Sequence, residues 1–462
     1  MNAGKQAGYS STTISAADLH KSLNLIIIAI TFGMAFFTVY SGSPLNGYIR
    51  ALGVGDLVYS IILALTVFGS FVQIISSYIL ENSAGRKKMF IISGIFQRLP
   101  LIPLGLAALI VPSSMNNLRV WIIICLMIVM SISGAFMNIS YTSWVGSLIP
   151  QEIRGRFFSK RLRIATISAA ITSVASGLLL DNVPGFAGYA ILFIIVGILG
   201  LADVLCYIWV KYPFYEKPAT KIPFAHLLKE PFKNRNYMRY VLFITLWTFS
   251  ANISVPFFIV YMLENLKMSF LLIMLSNQFI TNISTVLFIH LWGGIIDKYG
   301  NKPVMKICGL LISLLPAAWL FVTPKTIFLI FIINFFGGII WPCFDMVNLN
   351  LSIWLAPKKN RSIHIAVYSL SISILGVAAA YIAGGAIMQF TGPLLASSPI
   401  PFLGGRLLNF HILIFLSFLL RILTVLFFQH IFDEENAKTA ASVIRDIKQK
   451  VNYNAFKKRF SR

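Results

Sequence analysis

The stretch Leu291-Trp-Gly-Gly-Ile-Ile-Asp-Lys-Tyr-Gly-Asn-Lys-Pro-Val304 is a short charged hinge between two long apolar runs. Gly293 and Gly300 allow a tight reversal and a close approach of helices. Asp297 ends the first run and is placed to accept hydrogen bonds from backbone or basic partners. Lys298 and Lys302 set positive charge where an anionic membrane face would hold the turn. A fainter copy stands upstream, Tyr78-Ile-Leu-Glu-Asn-Ser-Ala-Gly-Arg-Lys87, and keeps the glycine and the basic pair at Gly85, Arg86 and Lys87. Gly85 and Gly300 lie 215 positions apart, so the chain reads as a repeat of two halves.

Composition names the solvent. Of 462 residues 57% are hydrophobic and only 11% charged, with a mean hydropathy of +0.80. A soluble domain carries about a quarter charged residues; so little polar surface suits a bilayer. The net charge of +23 does not point to nucleic acid, because the basic residues sit in short loops between apolar runs. Cys125, Cys206, Cys308 and Cys343 all lie inside apolar runs, without metal-ligand spacing, and read as small packed side chains.

Runs long enough to span occur at about 22–41, 57–80, 89–111, 119–148, 163–180 and 187–210, then at 239–263, 270–296, 303–323, 326–355, 363–390 and 407–431. The long run at 119–148 predicts a tilted or kinked helix. Twelve spans put both termini on one side. The connections on that side carry 21 Lys and Arg against five on the other, which predicts cytoplasmic termini by the positive-inside rule. The expected organisation is a polar tail (1–21) without signal-peptide layout, a six-helix half (22–210), a proline-rich linker (211–238), a second half (239–431) and a basic tail (432–462). In that tail Val443, Ile444, Ile447 and Val451 share a helical face among basic residues. It reads as an amphipathic helix on anionic lipid or as a solvated tail.

The two hinges resemble the signature loop between the second and third helices of each half in the major facilitator superfamily. In the first copy Tyr78, Asn82 and Ser83 replace the family's glycine, aspartate and basic residue. Pro150-Gln-Glu-Ile-Arg-Gly-Arg156 is similar to the superfamily's loop between helices 4 and 5. The resemblance covers about 22–431. It implies an all-α integral membrane fold of twelve transmembrane helices in two pseudo-repeated halves, with spans 1, 4, 7 and 10 lining a central cavity. It also implies gating roles for Gly85, Arg86, Lys87, Arg154, Arg156, Gly293, Asp297, Lys298, Gly300 and Lys302. Two departures weaken a reading as a proton-coupled drug exporter. Met130 precedes Gly134 where such antiporters carry arginine, and Ser173-Val-Ala-Ser-Gly177 replaces their Gly-Pro motif in span 5.

Charge inside a membrane is costly and marks function by default. Only Asp203 in span 6 and Asp345 in span 10 lie well inside apolar runs. Asp345 stands 12 residues before Pro357, roughly 18 Å deep at the helical rise, near the midplane. Asn138 of span 4 falls opposite Asp345 in the repeat. Trp341 and Asn348 flank Asp345, span 7 adds Trp247 and Asn252, and span 1 adds Tyr40. Aromatic faces with few fixed polar groups suit a small solute, so these seven are the expected substrate site, with Asp345 and Asp203 as ion-coupling acids. The competing reading makes Asp345 a helix-packing group. Arg98, Asp203 and Arg421 lie on spans the family places outside each half, so they must turn inward. An Arg98–Asp203 pair reads as a half-stapling bridge or a proton relay, and His290 as a polar cap.

The expectation is a secondary active transporter, ion (proton) coupled, working by alternating access as a monomer on a small-molecule substrate. A cationic or neutral amphipathic solute fits one acid among aromatics. No phosphate-binding loop supports ATP coupling, and no clustered His, Ser, Cys and acids support an enzyme. No cofactor, metal or nucleic acid is implied. The alternatives are a lipid or lysolipid flippase on the same scaffold and a non-transporting receptor. The expected location is the plasma membrane of a bacterium.

Overall fold

The computed structural model describes residues 15–81, 85–212, 231–357, 361–398, 400–403 and 405–428. Residues 1–14 of the first tail, most of the linker, Asn82, Ser83 and the basic tail lie outside the described residues. Twelve helices among those described are long and apolar enough to cross a membrane. They are α1 (Ala16–Ala51), α2 (Asp56–Gln73), α3 (Arg86–Ile110), α4 (Asn116–Leu148), α5 (Glu152–Asn182) and α6 (Phe186–Trp209), then α7 (Arg235–Asn265), α8 (Phe270–Tyr299), α9 (Asn301–Trp319), α10 (Phe328–Trp354), α11 (Ile363–Ser397) and α12 (Asn409–Phe427). Helical structure continues past α2 to Glu81. A two-residue strand pair, Pro401–Phe402 with Gly405–Arg406, joins α11 to α12.

Helix ends depart from the apolar runs where polar residues prolong a helix. The first helix begins at Ala16, inside the segment read as a tail, because Ser15 caps it by accepting from the Asp18 amide at 3.1 Å. The fifth begins near residue 151 rather than 163, and its basic first turns cap a neighbour. Arg154 Nη2 donates to the carbonyls of Gly146 (2.9 Å) and Ile149 (3.1 Å) at the end of α4. The long run became one continuous 33-residue helix.

Prolines set the breaks. Proline donates no amide hydrogen, so the carbonyl four residues back needs another partner. The α1 helix breaks at Ser41–Gly42, before Pro44, and α7 breaks after Asn252, before Pro256. At the second break α12 takes over the freed region: Ser417 Oγ donates to Ser250 O at 2.6 Å and Arg421 Nη2 to Ala251 O at 2.9 Å. Pro342 sits inside α10. There Thr285 of α8 donates to Gly338 O at 2.8 Å, and Gly338 carries no side chain because Ser284 and Thr281 press against it.

The Leu291–Val304 hinge behaves partly as read. Gly300 adopts φ 88°, a conformation glycine takes without strain, and reverses the chain from α8 into α9. Gly293 corrects the expectation of close helix approach, since a Cβ there would meet nothing within 4 Å. Asp297 is exposed and makes no hydrogen bond or ion pair among the described residues. In the first copy, Lys87 Nζ donates to Ile208 O (2.7 Å) and Val210 O (2.8 Å), capping α6.

The hydrogen bonds found between the halves cluster at the face opposite the basic loops. Arg50 at the end of α1 forks onto Glu264 of α7, Nε to Oε1 at 2.8 Å and Nη2 to Oε2 at 2.9 Å, and its Nη1 meets Asp56 at 2.7 Å. The buried Tyr59 hydroxyl lies 2.8 Å from Asn46 Oδ1 and 2.9 Å from the Pro256 carbonyl. Asp181 of α5 accepts from the Phe270 and Leu271 amides, at 2.8 and 3.0 Å, and so caps the first turn of α8 in the other half. Gly177 lies against the Leu271 backbone and Gly385 against Ser60.

Candidate functional site

A chamber of about 380 Å³ opens within the second half between α7, α10 and α11. Trp341, Asp345 and Asn348 enter it from α10, at spacings of four and three that share one helical face. Trp247, Thr248 and Asn252 enter from α7, just before its break, and Tyr368, Ser369 and Ser373 from α11. Ser373 belongs to a π-helical segment, Ile372–Ala378, a local widening often met at functional sites.

The walls are fixed and the acid is free. Trp247 is buried and stacks on Phe344 with centroids 4.7 Å apart, and Trp341 leans on both rings. Asn348 is held by the Tyr240 hydroxyl, 2.6 Å from its Oδ1, and Tyr240 stacks on Tyr368 at 6.1 Å. The Asn252 amide donates back to Thr248 O at 2.8 Å. Asp345 is exposed to the chamber and makes no hydrogen bond or ion pair among the described residues. An acid serving only to lock helices would have such a partner. A carboxylate open to a partly aromatic cavity can meet a cation or exchange a proton with water.

Two expected site residues stand elsewhere. Tyr40 is buried in the first half, stacked on Phe36 at 5.4 Å. Asn138 is exposed on α4 and does not line this chamber. Tyr240, which holds Asn348, and the lining residues Tyr368, Ser369 and Ser373 were not among the expected residues. The only hint for the last three was the polar seam Tyr368-Ser-Leu-Ser-Ile-Ser373 in an otherwise apolar run.

Asp203 is tied up. Arg98 Nη2 lies 3.0 Å from Asp203 Oδ2, both are buried, and the Arg98 guanidinium sits 4.2 Å above the Phe36 ring. A Cβ at Gly33 would strike the Asp203 carboxylate, so α1 packs directly on the pair. Removing one member of a buried pair leaves an uncompensated charge, costing about 3–5 kcal/mol. Asp203→Asn is therefore expected to lower the melting temperature strongly, whereas Arg98→Met with Asp203→Leu should recover most of the loss. Thermal unfolding of the purified variants checks this; a single variant as stable as the parent would show that the bridge does not staple the half. His290 is exposed on α8, and Arg156 is exposed on α5.

The sequence matches the Major Facilitator Superfamily over residues 25–281 and 248–460. The chain belongs to that superfamily of membrane transport proteins, with twelve helices in its two halves. No curated protein matches it. Among solved structures it is similar to a bacterial homologue of the human lysosomal transporter Spinster, inward-facing and unoccupied, at 14% identity over 90% of this chain and 98% of that one, with a TM-score of 0.67. It is similar to the nucleoside transporter NupG at 16% identity, over 90% and 100% of the chains, with a TM-score of 0.64. It is also similar to a D-xylose–proton symporter at 15% identity, over 92% and 99%, with a TM-score of 0.64. At these identities the likeness establishes the fold alone.

Proposed function

We propose that this multi-pass membrane protein is a secondary active transporter that moves a small solute by alternating access, coupled to protons through Asp345. The observation that carries this reading is the unpaired Asp345 carboxylate, facing a chamber walled by Trp247 and Trp341 at the break of α7. One acid, aromatic faces and the amides of Asn252 and Asn348 favour a cationic or neutral amphipathic solute. Asn138, across the repeat on α4, is the proposed first-half contact once the halves close around the solute. Asp203 is left with a supporting role, because Arg98 already neutralises it. No cofactor is needed, and the chain is proposed to work as a monomer.

The basic loops are proposed to face the cytoplasm of a bacterium, with both termini on that side. The bonds between the halves then close the external face, and the arrangement is inward-facing. Asp297 and the Gly300 turn belong to a cytoplasmic latch that engages only when the halves close at that end, consistent with the exposed, unpartnered Asp297. The basic tail is proposed to rest on anionic lipid.

Proteoliposomes with an inward-directed proton gradient, assayed with a panel of amphipathic amines and neutral solutes, test transport itself. Gradient-dependent movement of at least one solute is expected, and movement that ignores the gradient would remove proton coupling. The topology has its own test: a reporter active only in the cytoplasm should give signal when fused at either end. Silence at one end would defeat the orientation.

A further inference from the structure

A second chamber, of about 300 Å³, lies beyond Trp341 from the first, among α7, α8, α9, α10 and α12. Arg421 of α12 lines it, although Arg421 is only 3% exposed. Its guanidinium donates through Nη2 to Ala251 O at 2.9 Å and through Nη1, at a long 3.4 Å, to Ile312 O. Nε is buried and has no partner, and no carboxylate among the described residues pairs with the group. The first half handles the same problem differently, since Asp203 neutralises its buried Arg98.

A buried guanidinium in a membrane domain is costly unless a counter-charge meets it. Backbone carbonyls satisfy hydrogens but bring no full negative charge. The other polar groups lining the chamber suit an anion. Asn277 and Thr281 come from α8 and Asn334 from α10. Asn334 Nδ2 donates to Asn277 Oδ1 at 2.9 Å, which leaves the Asn277 NH2 as a donor. Asn277 also sits in a π-helical segment, Leu275–Ile280. The Trp341 ring lies 5.9 Å from the guanidinium and separates it from Asp345, one helical turn further along α10.

We propose that this chamber binds a small monovalent anionic group on Arg421, either a halide from solution or the carboxylate of an organic solute. With Asp345 on the other side of Trp341, the second half then holds one site for each sign of charge. The inference concerns binding and is read without transport, so it stands or falls apart from proton coupling.

The test titrates purified full-length protein with chloride against gluconate at constant ionic strength, and separately with acetate and butyrate, while the melting temperature is followed. A ligand that binds only the folded state raises that temperature saturably. A rise of a few degrees is expected with at least one of these probes. Saturation by chloride, with acetate competing, identifies a halide site; a response to the carboxylates but not to chloride identifies the acid group of a solute. Arg421→Gln is expected to abolish the response. Should that variant fail to fold, Asn334→Leu removes the amide that orients Asn277 and makes that wall apolar while leaving the carbonyl contacts of Arg421 in place, and it should abolish the response too. Absence of any saturable response in the parent protein overturns the proposal, as does an unchanged response in a folded variant. Arg421 would then be a staple of the α7 break and nothing more.

Discussion

Asp345→Asn is expected to abolish solute accumulation driven by a proton gradient while leaving the protein folded. The carboxyl has no hydrogen bond or ion pair among the described residues, so its replacement by a carboxamide breaks no contact. Stability should stay within about 0.5 kcal/mol of the parent, as for substitutions away from structural features. A carboxamide neither releases nor takes a proton near neutral pH, so the coupling step is lost. Exchange of labelled solute across the membrane without a gradient separates the two roles open to Asp345. Exchange that survives assigns it to the ion; exchange that vanishes assigns it to the solute as well. A variant that accumulates solute like the parent would make Asp345 a bystander.

The second large effect is expected at Arg50. This one side chain joins α1, the start of α2 and the end of α7, and its guanidinium also lies 5.4 Å from the Tyr59 ring. An exposed ion pair alone contributes little, about 0–1 kcal/mol. Arg50 is only 16% exposed, forks onto Glu264 and holds Asp56 at the same time. Arg50→Gln should therefore cost the closed arrangement of this face about 1–2 kcal/mol, and each 1.4 kcal/mol is about ten-fold in the population ratio. Spin labels at Ala51 and Asn265 would report this as a new, longer distance in the variant. Asp181→Asn, at the separate contact with α8, should add to it nearly independently. An unchanged distance distribution in the double variant would mean that apolar packing, not these bonds, keeps that face shut.

The sequence and the structure agree where a local rule decides. Apolar runs set the twelve spans, and Gly300 was readable because a charged turn between two helices needs a residue at ease with positive φ. That Trp247, Asn252, Trp341, Asp345 and Asn348 share one chamber was readable because polar and aromatic groups beside Pro256 and Pro342 stand out in an apolar run. Tyr40 shows the limit. Whether a residue on α1 faces the cavity or the core depends on helix rotation, and the pattern of that apolar helix does not encode it. Ser15 and the basic turns of α5 show another, since a helix outruns its apolar stretch when caps and charges support it. The Arg50–Glu264 and Asp181–α8 contacts join residues 214 and about 90 positions apart, and no spacing rule connects them.

The capping roles of Lys87 and Arg154 bear on how the chain is made. On the proposed orientation both are among the positive charges held back from translocation while the helices insert. After folding, the same ammonium and guanidinium groups close the ends of α6 and α4. Topogenesis and tertiary structure thus draw on the same atoms. A substitution that weakens the insertion signal at either position also leaves a helix end unsealed, so misinserted and poorly folded chains should arise together and reach quality-control proteases as one population.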